Sequence, residues 1–200
     1  MIDLLGYLET SFDGKAEAMI DDDLALRVAI TYFDDRPIDG LCSYCTLGLS
    51  VAPLERDGGT FRQELMFVTH YEIDKRAIAN FIGSFAEDIV KRGRAVLRGD
   101  VVTPREPVIL GTLMNFVFVC RPVALVAYGA GVFDEAEPPI DFWWLVPIHD
   151  DEAQFARTNG CEALEFALSN SYIPLWDLRR PSVFSAEGKA IKENDGISDK

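Results

Sequence analysis

Ile78, Phe81, Ile82, Phe85 and Ile89 recur at three- and four-residue intervals, so one side of this stretch is apolar and the rest polar. That period predicts an amphipathic helix. Its ends are marked as well. Asp74 stands where an N-cap is wanted, with Ile73 and Ile78 flanking it as a hydrophobic staple. Lys91 and Arg92 suit the negative end of the helix dipole, and Gly93 suits a left-handed stop. A shorter apolar side, made by Ile2, Leu4, Leu5 and Leu8, predicts a first helix over residues 2–10.

Between these helices the period is two. Over residues 24–33, Leu26, Val28, Ile30 and Tyr32 share one face of a strand and Arg27, Ala29 and Thr31 the other. Pro37 and Gly40 break it as a loop. Residues 42–51 and 62–70 read as two more strands, with a hairpin turn at Asp57, Gly58 and Gly59 before the latter. After the long helix, Pro104 and Pro107 mark a loop, and residues 115–122 and 141–148 are apolar strands. Pro147 is expected to end the last of these, because proline donates nothing to a ladder. The period then returns to helical. Ala153, Phe155 and Ala156, then Ala163, Leu164, Phe166, Ala167 and Leu168, predict two pieces interrupted at Asn159-Gly160. Residues 173–184 form a nonrepetitive segment with buried anchors. A single α/β (α+β) domain over residues 1–184 follows. The polar stretch 185–200 is expected to be a flexible tail.

The densest chemistry lies where the last strand meets a helix, in "FWWLVPIHDDEAQF" (142–155). Asp150, Asp151 and Glu152 fall in a first helical turn, where exposed N–H groups favour acids. Asp151 and Gln154 have capping-box spacing. This capping role accounts for every acid there. Two other readings compete with it. His149 and Glu152 could serve a small hydrolase as metal ligands or as an acid/base pair, or His149 could line a binding cleft. A metal site needs three or four ligands at fixed spacing. The only other histidine is His70, and no H-E-x-x-H pattern occurs. Cys42 and Cys45 have knuckle spacing, but residues three apart on a strand face opposite ways, so buried free thiols are expected. There is no G-x-S-x-G elbow and no phosphate loop, and Gly129 and Gly131 make only a bare G-x-G that suits a turn. No cofactor is implied.

Composition narrows the function further. The chain has 200 residues and a formal net charge of −14, from 33 acids against 19 bases. That balance repels phosphate backbones, which argues against nucleic-acid binding, and it would steer a basic partner inward. No apolar run is long enough to span a bilayer, and the first residues lack a basic n-region with a cleavage site. A cytoplasmic protein without a membrane role is the expectation. Four cysteines in a chain of this size agree with a reducing compartment.

Four pieces of the chain, in order, resemble the suppressor-of-fused family. "TLGLS" (46–50) is similar to its Thr-x-Gly-x-Ser strand and "ELMF" (64–67) to its Glu-Leu strand start. "WWLVPIHDDEAQFARTNGCEAL" is similar to its most characteristic segment, with Pro147, Ile148, Glu152, Gly160, Ala163 and Leu164 at the matching positions. "DLRRPSV" (177–183) is similar to its closing Asp-x-x-Arg-Pro-Ser element. The resemblance spans roughly residues 25–184. It implies a twisted mixed sheet flanked by helices, and binding rather than catalysis. The animal members hold a short peptide of a zinc-finger transcription factor as an added strand. Bacterial members are stand-alone domains, many proposed as immunity proteins against toxins. The chain ends soon after the first domain, so it resembles the bacterial type, and the animal peptide clamp does not carry over whole. The expected partner is a polypeptide, either a basic toxin or a short peptide segment. Candidate contact residues are Glu64, Trp143, Trp144, His149, Asp177 and Arg180. Trp143 and Trp144 must face opposite ways on a strand, both covered if the strand is central. Asp177 and Arg180 are expected to pair and pin the last segment.

Overall fold

The computed structural model describes residues 3–19, 28–70, 72–105, 108, 111–122, 131–186 and 188. Leu26 and Arg27 of the expected first strand, Gly129 of the G-x-G and residues 189–200 of the expected tail lie outside the described residues. Among those described are four α-helices, α1 (Leu4–Phe12), α2 (Lys75–Arg92), α3 (Asp150–Asn159) and α4 (Cys161–Ser169). Nine strands accompany them. They are β1 (Glu17–Met19), β2 (Ala29–Asp34), β3 (Leu41–Leu47), β4 (Leu54–Arg56), β5 (Gly59–His70), β6 (Val101–Val102), β7 (Phe116–Cys120), β8 (Val132–Phe133) and β9 (Ile140–Ile148).

The strands form one sheet in the order β1-β2-β3-β5-β9-β7-β6, with β4 on β5 and β8 on β9. Every pairing is antiparallel except the central one, where β5 and β9 run parallel with Leu65 opposite Trp143. Such a pairing needs a crossover, and α2 lies in it. The sheet is therefore mixed and flanked by helices, as the family resemblance implies. Local signals place the ends of several elements. Asp74 Oδ1 accepts the Arg76 N–H, and Gly93 closes α2 at φ 61°. Asp57 and Gly58, at φ 51° and 82°, make a two-residue turn with both central residues left-handed. Gly160, at φ 91°, separates α3 from α4.

β9 reads as an unbroken apolar run because both its faces are covered. Trp143 and Leu145 pack with Leu65, Phe67 and the apolar side of α2. Phe142, Trp144, Val146 and Ile148 pack on the other face with Leu8, Ala153 and Leu164 from α1, α3 and α4. Cys42 and Cys45 fall in opposite clusters, both as free thiols.

Two expectations need correction. Pro147 does not end the strand, which runs to Ile148 and pairs Pro147 with Val117. The register with β5 stops at Trp144, so Pro147 sits where only one neighbour flanks it, a position a proline can occupy. The expected strand 42–51 ends at Leu47 and gives way to a 3-10 turn over Leu49–Val51. At the other end of the chain, Gly188 is buried, and its N–H donates to Ser185 Oγ at 3.0 Å. Packed structure thus continues past Phe184.

Leu145 is fully buried at the centre of β9, whereas Val51 is 80% exposed. Leu145→Ala is expected to cost about 2–5 kcal/mol, cavity included, and Val51→Ala less than about 0.5 kcal/mol. Denaturant melts of the two variants check this, and comparable losses would contradict the placement of the core.

Candidate functional site

Glu64 lies on β5 with no solvent exposure. Its carboxylate accepts five hydrogen bonds, from Thr46 Oγ1, the backbone N–H groups of Gly48, Leu49 and Ser50, and Ser50 Oγ. The turn after β3 is wrapped around this carboxylate, so "TLGLS" and "ELMF" are two halves of one interaction. Burial raises the Glu64 carboxyl above its ordinary range, and the Ser50 and Thr46 hydrogen bonds only partly oppose this. A sealed Glu64 presents nothing to a partner. Its role in this structure is to hold the turn.

A second buried carboxylate organises the junction that stood out in the sequence. Glu152 and Arg180 have no side-chain exposure and pair bidentately, Nη1 to Oε1 at 2.7 Å and Nη2 to Oε2 at 2.8 Å. The Val183 N–H donates to Oε1 and the His149 N–H to Oε2, each at 2.9 Å. Arg180 also donates to the carbonyls of Pro147 and Pro181. Burial alone would raise the Glu152 carboxyl, but the Arg180 hydrogen bonds and charge, with the two backbone donors, hold it below the ordinary range. This corrects two expectations. The helix cap is His149 with Glu152 reaching back to it, two residues earlier than the Asp151/Gln154 box. Asp151 instead accepts from Ser182 Oγ at 2.6 Å, and Gln154 Nε2 donates to Thr158 Oγ1. Arg180 pairs with Glu152 rather than Asp177, whose Oδ1 accepts the Arg179 N–H.

The latched segment forms one wall of a cleft at the carboxyl ends of β5 and β9. Ligand crevices in α/β sheets open at such strand ends. His70 closes β5 and His149 follows β9, so the parallel pairing brings both histidines of the chain to this end of the sheet. One cavity of about 370 Å³ is lined by His149, Arg179, Arg180, Ile73, Leu113 and Leu178 among others. A second, of about 440 Å³, shares Ile73, Leu178 and Arg179 and adds Thr69, His70, Glu72 and Asp177. His149 is half-buried, and its Nε2 lies 3.0 Å from the Arg180 carbonyl oxygen, so that nitrogen carries the proton. Another cavity, of about 420 Å³, lies between the end of α2 and β6, but its Arg56 is already held by both oxygens of Asp100.

The cleft thus gathers His149, Asp177 and Arg180 of the six candidates. Glu64, Trp143 and Trp144 are elsewhere and buried, the two indoles only 5% exposed on opposite faces of β9. Arg121 stacks over Trp143 at 4.9 Å. Sequence reasoning missed Arg179, Thr69 and His70 as members of one cleft, because only the β5/β9 register brings their segments together. Among the described residues, no three His, Cys, Asp or Glu side chains converge as a metal site would require. Burial pushes the Cys42 and Cys120 thiols up to about 12, which keeps them protonated and unreactive.

A family model described as suppressor of fused protein (SUFU) matches residues 25–181. The chain belongs to the suppressor-of-fused family. Solved structures agree at the level of fold. The crystal structure of the Sufu–Fu complex superimposes with a TM-score of 0.69 at 16% identity, covering 90% of this chain and 91% of that one. A SUFU homologue from Neisseria gonorrhoeae gives a TM-score of 0.70 at 15% identity, covering 90% and 94%. Drosophila Suppressor of Fused gives 0.58 at 18% identity, covering 84% of this chain but only 46% of its own. A search of curated proteins finds no match. The four family-like pieces pair off in space. The first two meet at Glu64, and the last two meet at Glu152 and Arg180.

Removing one member of a fully buried pair strands the other, so Glu152→Gln is expected to cost about 3–5 kcal/mol at neutral pH. Because the folded-state value for Glu152 is depressed, this stabilisation is complete above the ordinary glutamate value of about 4.3 and is lost as pH falls through the lowered value. The gap between wild type and variant should therefore narrow in acid. Denaturant melts between neutral pH and acid check the sign, and a gap that widens in acid would contradict it.

Proposed function

We propose that this chain is a non-enzymatic polypeptide-binding domain of the suppressor-of-fused type and, more specifically, an immunity protein that masks a basic toxin. Family membership over residues 25–181 is the observation that carries the first part. One structural relative was solved as a complex with Fu, which supports a protein partner for this fold. The net charge of −14 supports the second part, since a surface this acidic attracts a basic partner over distances set by screening. The cleft over β5 and β9 is the contact surface we assign, with His149, Asp177 and Arg179 on it. The cytoplasm is the compartment that suits this role.

The hydrolase alternative asks Glu152 to exchange protons with a substrate. Its carboxylate accepts from Arg180 twice, from His149 N–H and from Val183 N–H, with no side-chain exposure. Freeing it would release the latch that shapes the cleft. No helix among the described residues is long and apolar enough to cross a membrane.

Capture of the partner from the native cell, followed by association kinetics at two salt concentrations, tests this reading. The on-rate is expected to fall as salt rises while the off-rate changes little. A salt-independent on-rate would remove the basic partner. Failure to capture a polypeptide, together with turnover of a small substrate that disappears in His149→Ala, would sink the binding-domain reading.

A further inference from the structure

The cleft holds more specific information, which rests on the polypeptide-binding reading and deepens it. Its two cavities differ in chemistry. Glu72 and Asp177 line the second. No acid lines the first among the described residues, where the titratable side chains are His149, Arg179 and Arg180. In a chain of net charge −14, such a pocket is a local exception.

One of its two arginines is also unspent. Arg180 uses Nη1 and Nη2 on Glu152 and on carbonyls, but its buried Nε has no hydrogen-bond partner. That Nε has no solvent exposure, so Arg180 is committed to the fold and shapes the wall of the cavity. Arg179 is exposed and forms no ion pair among the described residues, although it also lines the second cavity with Glu72 and Asp177. Next door, Thr69 is fully buried and its Oγ1 is likewise unpartnered. Ile73, Leu178 and the 78%-exposed Leu113 supply apolar wall. Donors on one side and aliphatic wall on the other suit a carboxylate carried on a short aliphatic stem.

We propose that this cavity receives an acidic side chain of the partner polypeptide. Arg179 reads its charge, and Ile73, Leu113 and Leu178 hold the methylenes and the neighbouring residue. The long-range field favours a basic partner, and this pocket then sets the register by demanding one acid at one place. The acid-lined second cavity gives an adjacent basic or hydroxyl side chain its counterpart, which makes the cleft selective for a segment of mixed charge.

The test uses the full chain, isotope-labelled for NMR, titrated with the acetylated and amidated tripeptide Leu-Glu-Leu and its Leu-Gln-Leu analogue. The Glu peptide is expected to shift the His149, Ile73 and Leu178 signals and to bind about tenfold more tightly than the Gln peptide, the difference a charge-assisted hydrogen bond supplies. Arg179→Ala should abolish that preference without changing the melting temperature, because Arg179 is exposed. Arg92→Ala, in the cavity beside β6, should preserve it. Equal binding of the two peptides, shifts confined to other surfaces, or an undiminished preference in Arg179→Ala would overturn the proposal. Acetate binding as tightly as the Glu peptide would overturn its polypeptide part. If a captured partner binds Arg179→Ala as well as wild type, the carboxylate site falls and the binding-domain reading stands. If the titration succeeds but no polypeptide partner exists, it is that reading which falls.

Discussion

The pairing of Glu152 with Arg180 is the constraint on which the functional end of this molecule depends. Two charges without solvent exposure are tolerable only if every hydrogen-bonding position is close to satisfied. Here Glu152 is saturated by Arg180 and by two backbone N–H groups. The bonds run to three places at once, namely the end of β9 through Pro147, the cap of α3 through His149, and the closing segment through Val183. One ion pair therefore ties the central strand, the next helix and the last segment into a fixed arrangement. The cleft over the strand ends inherits its shape from that arrangement, since His149, Arg179 and Arg180 are all placed by it.

Glu64 does the corresponding work on β5. Its carboxylate gathers the turn that follows β3, much as Glu152 gathers the closing segment. The two buried acids stand on or beside the two parallel strands at the centre of the sheet. A domain of this size has enough apolar burial to fold without them. What they add is the path of irregular segments that have no periodic hydrophobic pattern to place them.

That division explains what was legible in the sequence. The α2 helix, its Asp74 cap and Gly93 stop, the Asp57-Gly58 turn and the Gly160 break are local, and local spacing shows them. The opposite facing of Trp143 and Trp144, and of Cys42 and Cys45, follows from strand geometry alone. The order of helices and strands follows from these periods, and the mixed sheet flanked by helices from the family resemblance. Strands of two or three residues, β1, β4, β6 and β8, are too short for a period to appear. The buried pair was also hidden, because its partners are 28 residues apart and charged residues are ordinarily exposed. Asp177 stood closer to Arg180 in sequence and so drew the pairing on paper. The cleft was half visible. His149 and Asp177 could be suspected, but grouping them with His70, Thr69 and Arg179 needs the parallel register of β5 on β9.

Native-state hydrogen exchange tests the central claim most directly. The Val183 and His149 amides donate to a carboxylate with no solvent exposure. If the Glu152–Arg180 pair is what fixes the closing segment, both amides should exchange only through global unfolding, with a protection free energy equal to that of the most protected amides of β9. In Arg180→Ala the same two amides should exchange far faster than those of β9. Rapid exchange of Val183 and His149 in the wild-type protein, at rates typical of exposed loops, would contradict the account.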